Sequence, residues 1–417
     1  MAFSARLARL HPKPQTREEI LDDLRTRMRR VLERTIAPRP PPVATAEQSD
    51  FRLPFFAEET PHGLLHRRVL RLSAAHRTGR ARAHAAKHAD CKLLSLLALD
   101  PELASLDVAR ALYLDTETTG LAGGTGTVAF LVGLAAFDDA GLFVEQILVR
   151  NLGEEAPMLA HVRARIEDAS MLVTFNGKSF DMPLLRTRFA MTRVQAPPAR
   201  PHLDLLHVAR RVHRRKSRLV ALEDRVLGFV REDDVPSGEV SERYLHFLRT
   251  GDEHALLGVI EHNAQDVITM TALVGLYGAV FASQDPCDAL GAADLVGVAR
   301  TLHRAGDRDR ALSVATNAKD RGAGPDALRA RAAIARAIGD RDRALADLEA
   351  FLAEVDCPRA RLDLAKLYEH HRKDAARALE LVAQGIAEDE PRSTRRRERL
   401  ENKLRRARER ARPRNLG

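Results

Sequence analysis

The sequence predicts an α/β fold, a mixed sheet flanked by helices, followed by an all-α region of helical repeats. Three observations lead there. Apolar runs of strand length at residues 111–115, 128–137, 142–149 and 171–175 are separated by turn residues and by helical patterns. Three strands, then a helix, then a strand give a mixed sheet covered by helices. Beyond them, Gly-Asp-Arg-Asp-Arg-Ala-Leu occurs at 306–312 and again at 339–345, a period of 33, between Ala/Leu-rich stretches.

Along the chain, residues 16–35 read as a helix with Thr16 as a candidate N-cap and acids in the first turn. Residues 37–44 hold four prolines and read as a stiff linker. Residues 51–110 are mixed, with possible strands and a helix near 92–99, and carry no recognisable function. The strand at 111–115 leads into a Gly-rich turn at 120–126. The next two strands form a hairpin around Asp138–Gly141. A helix at 157–169 precedes the strand at 171–175, and a later helix spans about 253–277. A third, degenerate repeat copy lies at 374–379. Expected units are 1–50, 51–105, 106–285, 288–388 and a basic tail at 389–417.

The chain has 417 residues, 45% hydrophobic, with a net charge of +9, so it can bury more than one core and favours a polyanionic partner. Of its 67 basic residues 58 are arginine, a bias that also fits a general preference for arginine codons. Cys91, Cys287 and Cys357 make no metal-ligand spacing and no disulfide framework, which suits a reducing cytoplasm. The longest apolar stretches, such as 127–137, are too short to span a bilayer, so no membrane is expected. Residues 1–10 lack the apolar core of a secretory signal; acid-free and arginine-bearing, they also fit a transit peptide.

The chemistry concentrates at Leu-Asp-Thr-Glu-Thr-Thr-Gly. Asp115 and Glu117 lie two apart at the end of a strand, so their carboxylates project side by side. Two like charges held that close call for a cation, and an all-oxygen set suits Mg²⁺ or Mn²⁺. A strand ending in a solvated acidic turn has the same pattern. Asn176-Gly-Lys-Ser-Phe-Asp181 follows the strand at 171–175; Asp181 heads a helix, where a capping role is the plain alternative. His262 and Asp266 lie four apart on one helix face, flanking the apolar stripe of Leu256, Ile260, Val267 and Val274, as an ordinary surface pair would. Asp204, in His-Leu-Asp-Leu-Leu-His, reads first as a helix cap. The run Arg210, Arg211, Arg214, Arg215 and Lys216 could track a phosphate backbone or face solvent. The Gly-rich turn is no phosphate loop: no Lys-Ser or Lys-Thr follows at the required spacing, and no helix opens there.

In this order, Asp-x-Glu ending a strand, Asn-x4-Asp after a later strand and His-x3-Asp on a late helix, the chain resembles the DEDD exonuclease group of the ribonuclease H-like superfamily. The resemblance covers about residues 106–280. With Val-Ala-Phe-Leu-Val-Gly at 128–133, it is most similar to the YprB-type branch, in which a nuclease-like domain is joined to tetratricopeptide-like repeats. The resemblance implies that Asp115, Glu117, Asp181 and Asp266 hold two divalent ions, Mg²⁺ or Mn²⁺. It implies 3′-to-5′ hydrolysis of single-stranded DNA or RNA to 5′-mononucleotides, with His262 as general base. Thr118, Asn176, Lys178 and Phe180 would contact the substrate. One departure stands out: the spacing of His262 to Asp266 is that of the Tyr type, while the residue is that of the His type. The alternative is a nucleic-acid-binding scaffold without turnover. In either reading the repeats offer a surface for a protein partner.

Overall fold

The computed structural model describes residues 52–120, 125–213, 217–279 and 290–411. The expected helix at 16–35, the Pro-rich linker, Cys287, part of the Gly-rich turn and Arg214–Lys216 lie outside the described residues.

A seven-stranded sheet forms the centre, in the order β1-β2-β7-β6-β5-β8-β9. Its strands are β1 Phe56–Thr60, β2 Gly63–Leu72, β5 Ala111–Thr118, β6 Ala129–Asp138, β7 Gly141–Leu148, β8 Met171–Thr174 and β9 His202–Asp204; β3 Arg77–Thr78 and β4 Ala81–Arg82 form a separate small ribbon. β1, β2, β7, β6 and β5 pair antiparallel. β8 and β9 extend the sheet in parallel. The expected mixed sheet is therefore present. The hairpin closes at Asp138↔Gly141 as the turn residues require, with the Asp138 carboxylate accepting from the Ala140 and Gly141 amides.

Strand alternation sorts the two faces. Leu112 and Leu114 join one core with helices α2 Glu155–Asp168 and α3 Asp181–Thr192, by way of Met158, Leu159, Val162, Leu185 and Phe189. Ala111 and Tyr113 join the opposite core. That core gathers α1 Cys91–Ala98, α4 Leu205–His213 and the long α6 Leu257–Gly278; α5 Val240–Thr250 lies before α6 and packs in a smaller cluster with Phe130. A short helical turn, Glu253–Leu256, leads into α6.

Two sequence-based details change. The strand expected to end at residue 115 runs on to Thr118, because Thr116 and Thr118 remain buried and paired with β6. The acids thus stand within the strand and not at its tip. A register shift between Glu117 and Thr118 places a bulge beside them, a device that re-aims side chains at sheet rims. The strand β9 was read only as the approach to a helix; three residues are too few to show a period.

Helices α7 Ala292–Arg304, α8 Arg308–Asp320, α9 Pro325–Ile338, α10 Arg341–Glu354, α11 Pro358–Leu367, α12 Ala375–Ala383 and α13 Glu390–Ala411 follow. The repeated motif explains their starts. Asp307, Asp340 and Asp374 each cap the next helix by accepting from the amides of Arg310, Arg343 and Arg377. The core that covers one face of the sheet runs without a break into this region, through Leu295, Val298, Ala311, Ala327 and Ile334. Contact is close: a β-carbon on Gly297 would overlap the Val212 carbonyl.

Candidate active site

Because Asp115 and Glu117 continue the row of Ala111 and Tyr113, they project toward the face covered by α6. Asn263, fully buried on α6, donates to Asp115 Oδ2 at 2.9 Å. Its amide is fixed in turn by Gln146 of β7, whose Nε2 donates to Asn263 Oδ1 at 3.0 Å and to the Ile260 carbonyl at 2.8 Å. Gly133 makes room for this bridge, since a β-carbon there would overlap the Asn263 amide.

Asp181 arrives from the other side, at the first turn of α3. The capping alternative does not hold: the residue before the helix is Phe180, and no side chain caps it. Instead the buried Asp181 carboxylate accepts from Thr116 Oγ at 2.5 Å. Asp204 caps α4 by accepting from the Leu206 amide, as expected, and does more. It also accepts from the amides of Asn176 (2.8 Å) and Lys178 (3.1 Å), clamping the loop that leads to Asp181. Asn176 sits at φ 72°, a left-handed conformation that Asn tolerates.

The electrostatics show which acids feel each other. Burial, then the charges of Asp266, Glu117 and Asp181, hold Asp115 well above the usual carboxylate range, against the Asn263 bond. Burial, with Asp266 and Asp181, pushes Glu117 up to about 7, although His262 and Arg231 oppose it. Burial raises Asp181 to about 6, against the Thr116 bond and with Asp204 adding to it. The strand pair, the α3 acid and the α6 acid are thus one electrostatic group.

His262 and Asp266 share one face of α6, with His262 Nε2 at 3.8 Å from Asp266 Oδ2. His262 Nδ1 lies 2.6 Å from Asp234 Oδ1. Burial opposes a charge on the imidazole, but Asp266, Glu117 and Asp234 outweigh it and its pKa is raised. Glu261, the neighbouring position, turns away to Arg68 at 3.1 Å.

Sequence reasoning missed Arg231. Its guanidinium is buried and gripped by both oxygens of Glu223, each at 2.7 Å, with Glu223 fully buried. From there it donates to Asp266 and approaches His262 Nδ1 at 3.2 Å. Nothing local in a chain with so many arginines distinguishes this one. The Glu223 partner is eight residues away across a turn that begins with a π-helical stretch at Glu223–Leu227.

The proposed substrate contacts are placed as follows. Thr118 is buried and its hydroxyl donates to the Gly120 carbonyl at 2.9 Å. Phe180 is partly exposed at the head of α3. Lys178 is exposed and pairs at 3.9 Å with Asp100. Arg211 donates to the Leu97 carbonyl, so within the basic run it is a structural side chain.

The donors are carboxylate oxygens crowded enough to raise each other's pKa, which is the chemistry a hard divalent ion relieves. Among the described residues no three His, Cys, Asp or Glu side chains are spaced to hold an ion in their present rotamers. Asp266 is already engaged by Arg231. No described helix is long and apolar enough to cross a membrane.

The family match agrees with the fold. Residues 112–277 match a family described as RNase_H superfamily. A Bacillus subtilis (strain 168) protein, described as uncharacterized protein YprB, is 37% identical over 166 residues, 39% of this chain and 40% of its own length. The chain therefore spans less than half of that relative. The family B DNA polymerase from the archaeon Pyrobaculum calidifontis aligns at 15% identity and a TM-score of 0.31, over 47% of this chain and 29% of the polymerase.

Proposed function

We propose that the segment matching the RNase_H superfamily hydrolyses phosphodiester bonds of single-stranded DNA or RNA, proceeding 3′ to 5′ and releasing 5′-mononucleotides. The observation that carries the reading is the shared charge of Asp115, Glu117, Asp181 and Asp266, drawn from one strand and two helices. These four would hold two Mg²⁺ or Mn²⁺ ions once their rotamers adjust. Such ions supply Lewis acidity, lowering the pKa of an attacking water and stabilising the departing oxygen.

The chain's own residues do the rest. Asp234 accepts from His262 Nδ1–H and so fixes the tautomer, leaving Nε2 on the side of Asp266 to take the water's proton. Asn263 and Thr116 hold Asp115 and Asp181 in register. Asp204 fixes the backbone of Asn176 to Lys178, which presents Lys178 and Phe180 for contact with a strand terminus. The helical hairpins of 292–383 serve as tetratricopeptide-like repeats with a surface for a protein partner, in a cytoplasmic setting.

A second reading, a binding scaffold without turnover, draws on one observation: Arg231 neutralises Asp266 without any ion. One experiment separates the two. Purified protein is incubated with 3′- and 5′-labelled single strands of DNA and RNA, with Mg²⁺, Mn²⁺ or chelator, beside Asp115→Ala. Product ladders that need the cation and vanish in the variant support hydrolysis. Tight binding with intact strands in every lane supports the scaffold.

A further inference from the structure

We propose that the exposed basic flank of α13 binds the phosphodiester backbone of a nucleic-acid strand, as a second contact surface apart from the acid cluster. The identity of the polymer rests on the phosphodiesterase reading; the surface itself rests on the charge layout of this helix.

The helix packs on the last hairpins through Leu400, fully buried, and Leu404, partly buried. At about 100° per residue, Arg392, Arg395, Arg399, Lys403, Arg406 and Arg410 fall within an arc about 80° wide. All six are exposed, and no acid of the helix lies in that arc. The helix's own acids, Glu390, Glu398, Glu401 and Glu409, fall between about 160° and 260° from Arg392. Arg397, Arg405 and Arg408 intersperse with or flank them, so that side is close to neutral.

A merely solvated helix gains from mixing its signs at i,i+3 and i,i+4. Here the six cations follow one another at spacings of three and four, so each neighbouring pair repels. Among the described residues, relief comes from below. The buried Glu369 receives Arg399 and Lys403, and Arg392 pairs weakly with Asp389 at 3.5 Å. The side chains of Arg395, Arg406 and Arg410 take part in no hydrogen bond or ion pair among the described residues. From Arg392 to Arg410 the stripe runs about 27 Å at 1.5 Å per residue. A strand stacked as in B-DNA, with a phosphate every ~3.4 Å, would place up to about eight phosphates along it. An extended polyanion of regular charge matches that geometry; a compact anion would meet one or two of the side chains.

The test is a fluorescence-anisotropy titration of a labelled 20-nucleotide oligo-dT or oligo-U, in chelator, across about 50 to 200 mM salt. The triple variant Arg395→Ala, Arg406→Ala, Arg410→Ala is compared with Arg397→Ala, Arg405→Ala, Arg408→Ala, which removes equal charge from the other side. Circular dichroism confirms that both keep their helix. The first triple is expected to weaken binding about tenfold or more at low salt. It should also flatten the log–log salt slope by about 2, at ~0.7 per strand phosphate. The second should leave the slope within about half a unit. Equal losses in the two triples would overturn the proposal, reducing it to overall charge. So would wild-type protein that binds polyglutamate or anionic vesicles as tightly as the oligonucleotide. Cleavage of a dinucleotide, too short to lie along the stripe, should be unchanged in the first triple. If Asp115→Ala leaves cleavage intact while the two triples still differ, the acid-cluster reading fails and this one stands.

Discussion

Arg231 donates to Asp266 while both oxygens of the fully buried Glu223 hold it from behind. The candidate site thus contains a fixed guanidinium beside one of its four acids. Removing it alone leaves Glu223 without its counter-charge. Arg231→Met should cost on the order of 3–5 kcal/mol, the usual penalty for breaking a buried pair from one side. Adding Glu223→Gln should recover much of that. Denaturant unfolding of the two single variants and the double variant measures it. A double variant no better than Arg231→Met would mean that the guanidinium's packing, not the pair, is what matters.

His262 has its Nδ1 against Asp234 and its Nε2 toward Asp266. His262→Ala should lower turnover by roughly 100-fold or more, the range of a lost general base, while divalent-ion affinity measured by calorimetry changes little. Asp234→Asn should reduce turnover less and shift its pH profile. Undiminished turnover in His262→Ala would hand proton transfer to another group.

Glu117 at about 7 and Asp181 at about 6 retain protons in the cation-free protein at pH values where free carboxyls have lost them. Folded-state values above the ordinary ~4 mean that stability declines as pH rises from that range through 7. The Tm of chelated protein should therefore drop between about pH 5 and 7. Added Mn²⁺ competes with those protons and should raise Tm more at pH 8 than at pH 5.5, by an amount equivalent to about 2.7 kcal/mol at a hundredfold excess over Kd. Glu117→Gln should flatten both trends. A cation effect equal at the two pH values, or unaltered in that variant, would place any ion elsewhere.

Gly133 lies where β6 runs beneath Asn263. Gly133→Ala should cost about 1–3 kcal/mol through overpacking and push the Asn263 amide off Asp115. Thermal unfolding gives the first effect. For the second, the cation-dependent rise in Tm should shrink as well. A variant as stable as the parent would show that α6 can back away freely.

The parts legible in the sequence are those that depend on near neighbours. The hairpin at Asp138–Gly141 and the shared face of His262 and Asp266 follow from turn chemistry and periodicity within a few residues. The missed parts are contacts across the fold. The role of Asn263 has no local signature, because its partners Asp115 and Gln146 lie 148 and 117 residues away. Asp204 reads locally as a cap, and its hold on Asn176 and Lys178 becomes visible only when β8 and β9 lie side by side. The segment before β5 was opaque because β1 lies at the sheet edge and both it and its neighbour β2 are largely exposed or half-buried, without a clean alternation.

The apolar interior shared by the sheet and the first helical hairpins joins the described residues from the sheet through α9 into one compact body. A chain truncated after α6 would bare the side of α4 that α7 covers around Val212, so the segment up to α6 cannot be expected to survive excision as a stand-alone domain. The distal hairpins pack around an apolar cluster of their own, and α9 lends side chains to both, Ala330 and Ile334 to one and Ala332 and Ala335 to the other, so whatever docks there would reach the proposed centre's histidine and aspartate by way of that helix.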